Sequence, residues 1–178
     1  MRITGGVLSG RRIQVPQGSQ DIRPSMDRMR ESFFACLGDM TDQSFLDIFT
    51  GSGIIALEAA SRGAFKIDAV EQDKQKRKIL LENVSISPVR ISCHFIPAEL
   101  YVKRTKTSFD IIFLDPPFPY KYKWELTAKI ASSALVTQGT KILIHRPRSD
   151  YLKTEILNLE NYDKREYGGS IIDFFAVK

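Results

Sequence analysis

Apolar and polar positions change period several times along the chain, and each change marks an element. "SFLDIF" (44–49) is a nearly unbroken apolar run, "TGSG" interrupts it, and "IIALEAASRG" (54–63) continues at a helical spacing that Gly63 closes. The exchange then repeats. "KIDAV" reads as a second strand with Glu71 at its C-terminal end, and "DKQKRKILLENVS" as a charged amphipathic helix. "VRISCHF" and "FDIIFL" read as the third and fourth strands, "KWELTAKIASSAL" as a helix and "GTKILIHR" as the fifth strand. "DYLKTEIL" has a weak helical period. "NLENYDKREYG" and "SIIDFFAVK" follow without a clear helix between them and read as an antiparallel pair at one edge. Strands alternating with helices of about ten residues predict an α/β fold. Its sheet is mostly parallel and seven-stranded, with helices on both faces and an antiparallel C-terminal edge.

The pattern before the first strand is different. "RITGG" and "RRIQV", joined through glycines, read as a hairpin flap rather than a core element, and "PQGSQDIRPS" as a loop. Ser25 is placed to cap a helix starting near Met26, with Met29, Phe33, Phe34 and Leu37 on its apolar side and Arg28 and Arg30 projecting elsewhere. The expected organisation is a hairpin-and-helix extension over 1–40 and a main domain over 41–178.

Composition narrows the class. With 178 residues, 43% hydrophobic and 26% charged, the chain suits one soluble domain with a short appendage. No apolar run approaches the ~18 residues of a membrane span, and "MRITGGVLSGRR" has no apolar signal core, so a cytoplasmic protein is expected. Cys36 and Cys93 sit far apart in apolar patterns and read as buried free thiols. With only two scattered histidines beside them, no metal site is expected. Charge is uneven. The first thirty residues hold six arginines against two aspartates, most of the formal net charge of +5. Arg2, Arg11, Arg12, Arg23, Arg28 and Arg30 are the candidates for bidentate contact with nucleic-acid phosphates.

Two stretches carry chemistry. In "LDIFTGSG", Gly51 and Gly53 flank Ser52 where a helix opens beyond a strand end, the place where α/β sheets bind ligands. The stretch lacks both the nicotinamide fingerprint and the phosphate-loop lysine. Asp47 puts a carboxylate where a diphosphate would be repelled and a cationic group favoured; S-adenosylmethionine carries an ammonium and a sulfonium. Glu71 is placed for ribose hydroxyls, a role it would equally fill for a nicotinamide ligand. The second stretch is "DPPF". Pro116 and Pro117 stiffen the corner after strand four, so Asp115 and a backbone carbonyl can present two acceptors to a planar exocyclic amine while Phe118 stacks on its base. Tyr120, Lys121 and Lys123 follow as a candidate lip over that base. A plain strand-ending turn is the alternative.

"DPPF" looks like the Asn/Asp-Pro-Pro-aromatic motif of amino-group methyltransferases. "RPSMDRMRESFF" (23–34) and "DIFTGSGIIALEAASRGA" (47–64) resemble segments of the bacterial 16S ribosomal RNA guanine-N2 methyltransferases, and "RITGGVLSGRRI" extends the resemblance over essentially the whole chain. That resemblance implies a Rossmann-like, S-adenosylmethionine-dependent methyltransferase acting on guanine 966 of 16S rRNA in the small ribosomal subunit; separately, a monomer is expected. The resemblance implies that Asp47, Phe49, Gly51, Gly53 and Glu71 line the cofactor site and that Asp115, Pro116, Pro117 and Phe118 hold the target base. It also implies an RNA-facing segment that includes Arg23, Asp27, Arg28 and Arg30. Three positions depart from the pattern. Thr50 replaces a usual alanine. Pro97 precedes Ala98 where an acid is common, leaving the Ala98 N–H or Glu99 for adenine. His145 stands where an acid is frequent and reads as an edge or packing residue. The competing readings are an adenine-N6 DNA methyltransferase and a noncatalytic RNA-binding protein.

Overall fold

Seven strands form one sheet in the order β3-β2-β1-β4-β5-β7-β6 in the computed structural model, which describes residues 1–15, 24–151 and 158–178, with the backbone alone for 24–26. The strands are β1 (Ser44–Ile48), β2 (Lys66–Val70), β3 (Ile91–His94), β4 (Ile111–Leu114), β5 (Lys141–Pro147), β6 (Leu159–Tyr167) and β7 (Ser170–Val177). β1 to β5 pair in parallel, and β7 inserts antiparallel between β5 and β6. The sheet is therefore mostly parallel with an antiparallel edge, as the alternation predicted, and the fold is Rossmann-like, as the resemblance implied. The central strands β1 and β4 are buried throughout, which is why they read as unbroken apolar runs. The last two segments lie at the antiparallel edge, where the charged face of β6 meets solvent. Arg23, the stretch 16–23 and most of the weak helix over 150–157 lie outside the described residues.

The helices are α1 (Pro24–Leu37), α2 (Ile54–Ser61), α3 (Arg77–Val84), α4 (Ala98–Arg104) and α5 (Lys123–Ala131). α1 opens at Pro24, so Ser25 lies inside the first turn rather than capping it; proline suits that position because its missing N–H would be unpaired there anyway. α4 was not anticipated. It has seven residues and buries only Ala98, Tyr101 and Val102, too short a stripe to show a period.

The N-terminal flap is also different from expectation. Its ladder reduces to one bridge, Arg2 to Arg12, flanked by Ile3 N–H to Arg11 O (2.9 Å) and Ile13 N–H to Met1 O (3.0 Å). Ile3 is fully buried in the same apolar cluster as Phe33, Phe34 and Phe45, so this segment belongs to the core rather than hanging over it. It is held to α2 by polar contacts: Thr4 N–H and Oγ1 donate to Glu58 Oε1 (2.6 and 2.8 Å), and Ser61 Oγ donates to Gly5 O (2.6 Å). Gly6 makes this docking possible. Its φ is +73°, and a Cβ there would stand 1.8 Å from the Ser61 carbonyl oxygen. Gly6→Ala is expected to cost about 3 kcal/mol and to lower the thermal midpoint by roughly 6–12 °C, read by calorimetry. An unchanged midpoint would mean the segment contributes little to stability.

Arg30 is corrected most sharply. Three and four residues before Phe33 and Phe34, it falls on the apolar stripe of α1 and is only 1% exposed. Its guanidinium donates to Glu58 Oε1 (3.3 Å), Asp27 Oδ1 (2.6 Å) and Arg2 O (2.7 Å), tying α1, α2 and the N-terminal segment together. A second buried pair, Arg146 with Asp173 (2.5 Å), fastens β5 to β7. The cysteines are free, but Cys36 is exposed, and Cys93 is half-buried because it packs on the core from the edge strand β3.

Candidate active site

The chain runs outward to β2 on one side of β1 and to β4 on the other, so a crevice opens beyond the C-terminal ends of these strands. A cavity of about 730 Å³ occupies it, walled by Phe49, Glu71, Asp115, Phe118, His145 and the β6–β7 turn. A smaller cavity of about 150 Å³ adjoins it under Asp47, Thr50, Gly51, Ser52 and Met1, sharing Phe49 and Asp115 as a wall.

The turn after β1 is wound in the left-handed region. Phe49, Gly51 and Gly53 have φ of +67°, +56° and +82°. A phenylalanine at positive φ is strained, and it is held by contacts on both sides. Thr50 N–H donates to Val70 O (3.0 Å), and the Phe49 ring lies 5.2 Å from that of Tyr120. Asp47 Oδ2 accepts from Thr50 Oγ1 (2.5 Å) and Ala56 N–H (3.1 Å). Thr50, a departure from the pattern in sequence, is thus the residue that fastens the Asp47 carboxylate. Asp47 Oδ1 is buried with no partner among the described residues. Burial pushes the Asp47 carboxyl up to about 7; the hydrogen bonds from Thr50 and Ala56 oppose this, and the Asp115 and Glu71 carboxylates add to it.

Glu71 closes the other side. Oε2 accepts from Gly51 N–H (3.0 Å) and Oε1 from Asp73 N–H (2.9 Å), with Lys76 Nζ at 3.4 Å. Asp73 caps the short 3₁₀ turn before α3 by accepting from Gln75 N–H (2.9 Å). At Gly51 an added Cβ would meet only the Phe49 carbonyl oxygen, at 3.9 Å, so the backbone is open to a ligand at that point.

The proline corner sits opposite. Asp115 N–H donates to Ile48 O (3.2 Å), joining the ends of β4 and β1, and Tyr120 N–H closes a turn on Pro117 O (2.8 Å). Pro116 is buried, Pro117 exposed and the Phe118 ring half exposed. His145, from β5, places Nδ1 2.8 Å from Asp115 Oδ1, and its ring meets Phe118 edge-on at 5.7 Å.

Residues 1–176 match the family described as conserved hypothetical protein 95. The chain belongs to that family. It is 35% identical over 120 residues to the ribosomal RNA small subunit methyltransferase D of Escherichia coli K12, covering 66% of this chain and 60% of that protein's length. It is 27% identical over 179 residues to a putative rRNA methyltransferase, YlbH, of Bacillus subtilis, covering 94% of each. The solved structure of a putative methyltransferase, YhhF, of Escherichia coli matches with a TM-score of 0.90 at 25% identity, covering 100% of this chain and 98% of that one.

In this member of the family, Asp47, Phe49, Gly51 and Glu71 converge on one side of the crevice and Asp115 to Phe118 on the other. Gly53 underlies the turn, where its missing Cβ makes room for Leu80. Ala98 and Glu99 are not brought to either cavity wall. Ala98 is buried at the start of α4, and Glu99 accepts a hydrogen bond from the Tyr120 hydroxyl. Tyr120 is therefore an inner support between Phe49 and Glu99, while Lys121 is exposed beside it. Arg2, Arg11, Arg12 and Arg28 are exposed. Sequence reasoning missed, among the residues walling the larger cavity, Met29, Gln72, Lys76 and the turn Tyr167–Ser170. Only the glycine pair in "YGGS" hinted at the last. Among the described residues, no helix is long and apolar enough to cross a membrane, and no three His, Cys, Asp or Glu side chains group to hold a metal ion.

Proposed function

We propose that this chain transfers a methyl group from S-adenosylmethionine to the exocyclic N2 of guanine 966 of 16S rRNA, within the assembling or assembled small subunit. The observation that carries the reading is the Asp115-Pro116-Pro117-Phe118 corner facing the β1 turn across one cavity. The cofactor fits the residues present. Asp47 offers a buried, partnerless Oδ1 to a cationic group, Glu71 offers carboxylate oxygens to a ribose, and Gly51 leaves the backbone open. Three carboxylates around one crevice also disfavour a phosphate-bearing ligand. The bound cofactor supplies an electrophilic methyl on a sulfonium.

The remaining chemistry belongs to the chain. A guanine amine is a poor nucleophile because its lone pair is delocalised into the ring. Asp115 and a corner carbonyl accept its two hydrogens, which returns electron density to nitrogen and aligns it for in-line attack. With the cofactor bound, a nitrogen–carbon bond would form as the sulfur–carbon bond breaks, and the proton, readily lost from the product amine, would pass to water. The base must leave its stack, at a cost of a few kcal/mol. Stacking on the half-exposed Phe118 returns about 1–3 kcal/mol. The related rRNA methyltransferases support the acceptor class.

Arg2, Arg11, Arg12 and Arg28, all exposed, form the phosphate-contacting face. Arg28→Glu is expected to weaken RNA binding about tenfold near physiological salt and to reduce the salt slope by about 1, measured by filter binding across salt concentrations. An unaltered slope removes Arg28 from that face.

The deciding assay offers labelled S-adenosylmethionine with 30S particles, naked 16S RNA or DNA, and locates the methyl by nuclease digestion and mass spectrometry. N2-methylguanosine at a single 16S position is the expected result. N6-methyladenine in DNA would replace the reading with the adenine alternative, whose amine the same corner could hold. Cofactor binding without transfer to any acceptor would reject catalysis on these substrates.

A further inference from the structure

Nδ1 of His145 lies 2.8 Å from Asp115 Oδ1, and the histidine side chain is 8% exposed against 34% for the aspartate. Asp115 lines the cavity, and its Oδ2 has no hydrogen bond among the described residues. The two ring nitrogens therefore have different surroundings. Nδ1 meets a carboxylate, whereas Nε2 is buried and has no partner among the described residues. A hydrogen bond to a carboxylate needs the hydrogen on Nδ1, and in the neutral ring that leaves Nε2 with its lone pair. A buried Nε2 with no onward partner is also a poor route for a proton, so a relay from Asp115 through the ring to solvent does not fit this geometry.

We propose that His145 is a positioning residue that makes Asp115 one-sided: Nδ1–H occupies Oδ1, fixes the carboxylate plane, and leaves Oδ2 as the oxygen presented to the acceptor amine. The proposal rests on the amine-methylation reading and adds the device that orients its central acceptor. The other histidine–aspartate pair provides a contrast. His94 Nε2 lies 2.8 Å from Asp68 Oδ2, but the Tyr101 hydroxyl donates to that same oxygen (2.6 Å), away from the cavity. There both bonds converge on Oδ2 and neither residue walls the two cavities, whereas Asp115 stands on the cavity wall with one oxygen unclaimed.

The consequence distinguishes this arrangement from simple packing. In Asp115→Asn, the amide oxygen would be taken by His145 Nδ1–H, and the amide NH₂ would face the substrate amine, donor against donor. This variant should be as slow as Asp115→Ala. Adding His145→Phe keeps a ring beside Phe118 but releases the amide to turn its oxygen outward. The double variant should then be about tenfold faster than Asp115→Asn alone.

The single variants complete the cycle. His145→Phe should lower kcat about 10- to 100-fold, with KM for the RNA-containing acceptor and the affinity for S-adenosylhomocysteine held within about twofold. His145→Asn places its NH₂ near the Nδ1 position and should recover most of kcat; His145→Gln reaches too far and should not. A purely structural histidine would give no recovery with asparagine and no gain in the double variant, and either result overturns the proposal. A readout independent of any acceptor comes from ¹⁵N NMR of the whole protein, where only two histidines contribute. The expected His145 signal is the Nδ1–H tautomer, with an Nδ1 shift that moves in Asp115→Ala. An unprotonated Nδ1 overturns the clamp even if methyl transfer proceeds. Wild-type inactivity on every acceptor would instead reject the functional reading, with the clamp judged on the NMR signal.

Discussion

Asp115→Ala is expected to lower kcat for methyl transfer about a thousandfold while leaving the dissociation constant of S-adenosylhomocysteine within about twofold. The magnitude follows from the loss of one charged hydrogen-bond partner that matters most as charge develops on nitrogen, an effect of about 3–4 kcal/mol in comparable sites. The selectivity follows from position. Asp115 stands at the end of β4 on the wall facing the β1 turn, and its backbone tie to Ile48 O survives truncation of the side chain. Pro116 and Pro117 keep the corner's path, so the substitution removes an acceptor rather than a loop. Single-turnover methyl transfer to the best acceptor measures kcat, and calorimetry measures cofactor binding. Turnover near that of the unaltered protein would exclude the proposed role for the carboxylate.

The second large effect concerns Asp47. Without a cationic ligand its carboxyl sits near 7, against an ordinary value of about 4 when unfolded, so the native state binds more protons between those limits. The sign follows directly: this group's contribution to stability falls as pH rises from about 4 to 7, at up to about 1.4 kcal/mol per pH unit. Other carboxylates, such as Asp68 held low by His94 and Tyr101 against its own burial, act in the opposite sense. The informative quantity is therefore the difference between the unaltered protein and Asp47→Asn. The ligand-free variant should gain thermal stability relative to the parent as pH rises from 5 to 8. Cofactor affinity should do the reverse. A cationic group at Oδ1 favours the ionised carboxylate, so binding to the parent should strengthen through this range and release a proton. Asp47→Asn should lose about 10- to 100-fold in affinity at pH 8 and less at pH 6. Thermal scans and calorimetry in two buffers of different ionisation enthalpy test both halves. Parallel pH dependences in parent and variant would refute the assignment.

The parts legible in sequence were those whose signal is local. β1 and β4 are buried on both faces, so their burial appears as apolar runs, and the glycines and prolines beyond them announce turns without reference to distant residues. Convergence was harder to read. Asp115 and His145 are 30 residues apart and meet because β4 pairs with β5 in parallel. Arg30 looked like a surface arginine because nothing near it in sequence reveals Glu58, which is 28 residues away and fully buried. Thr50 looked like a neutral replacement until its hydroxyl was seen to hold Asp47. Ala98 and Glu99 were assigned from the resemblance, and neither is among the residues that wall the two cavities. Asp115 gains its partner through sheet order, Arg30 through the packing of α1 on α2, and Thr50 through the winding of the β1 turn.

The placement of β7 between β5 and β6 has a consequence for the order in which the two sides of the crevice come into being. The β1 turn and Glu71 draw on the first 120 residues: besides β1 and β2 they use His94 O, which accepts from Glu71 N–H, and the Tyr120 ring against Phe49. The opposite wall needs the Tyr167–Ser170 turn, which forms only when β6 and β7 pair and β7 docks on β5. During synthesis from the N-terminus, the cofactor side is therefore able to assemble while the acceptor side is still incomplete. Under the proposed function, a nascent chain would acquire a place for the methyl donor before it acquires a place for the base.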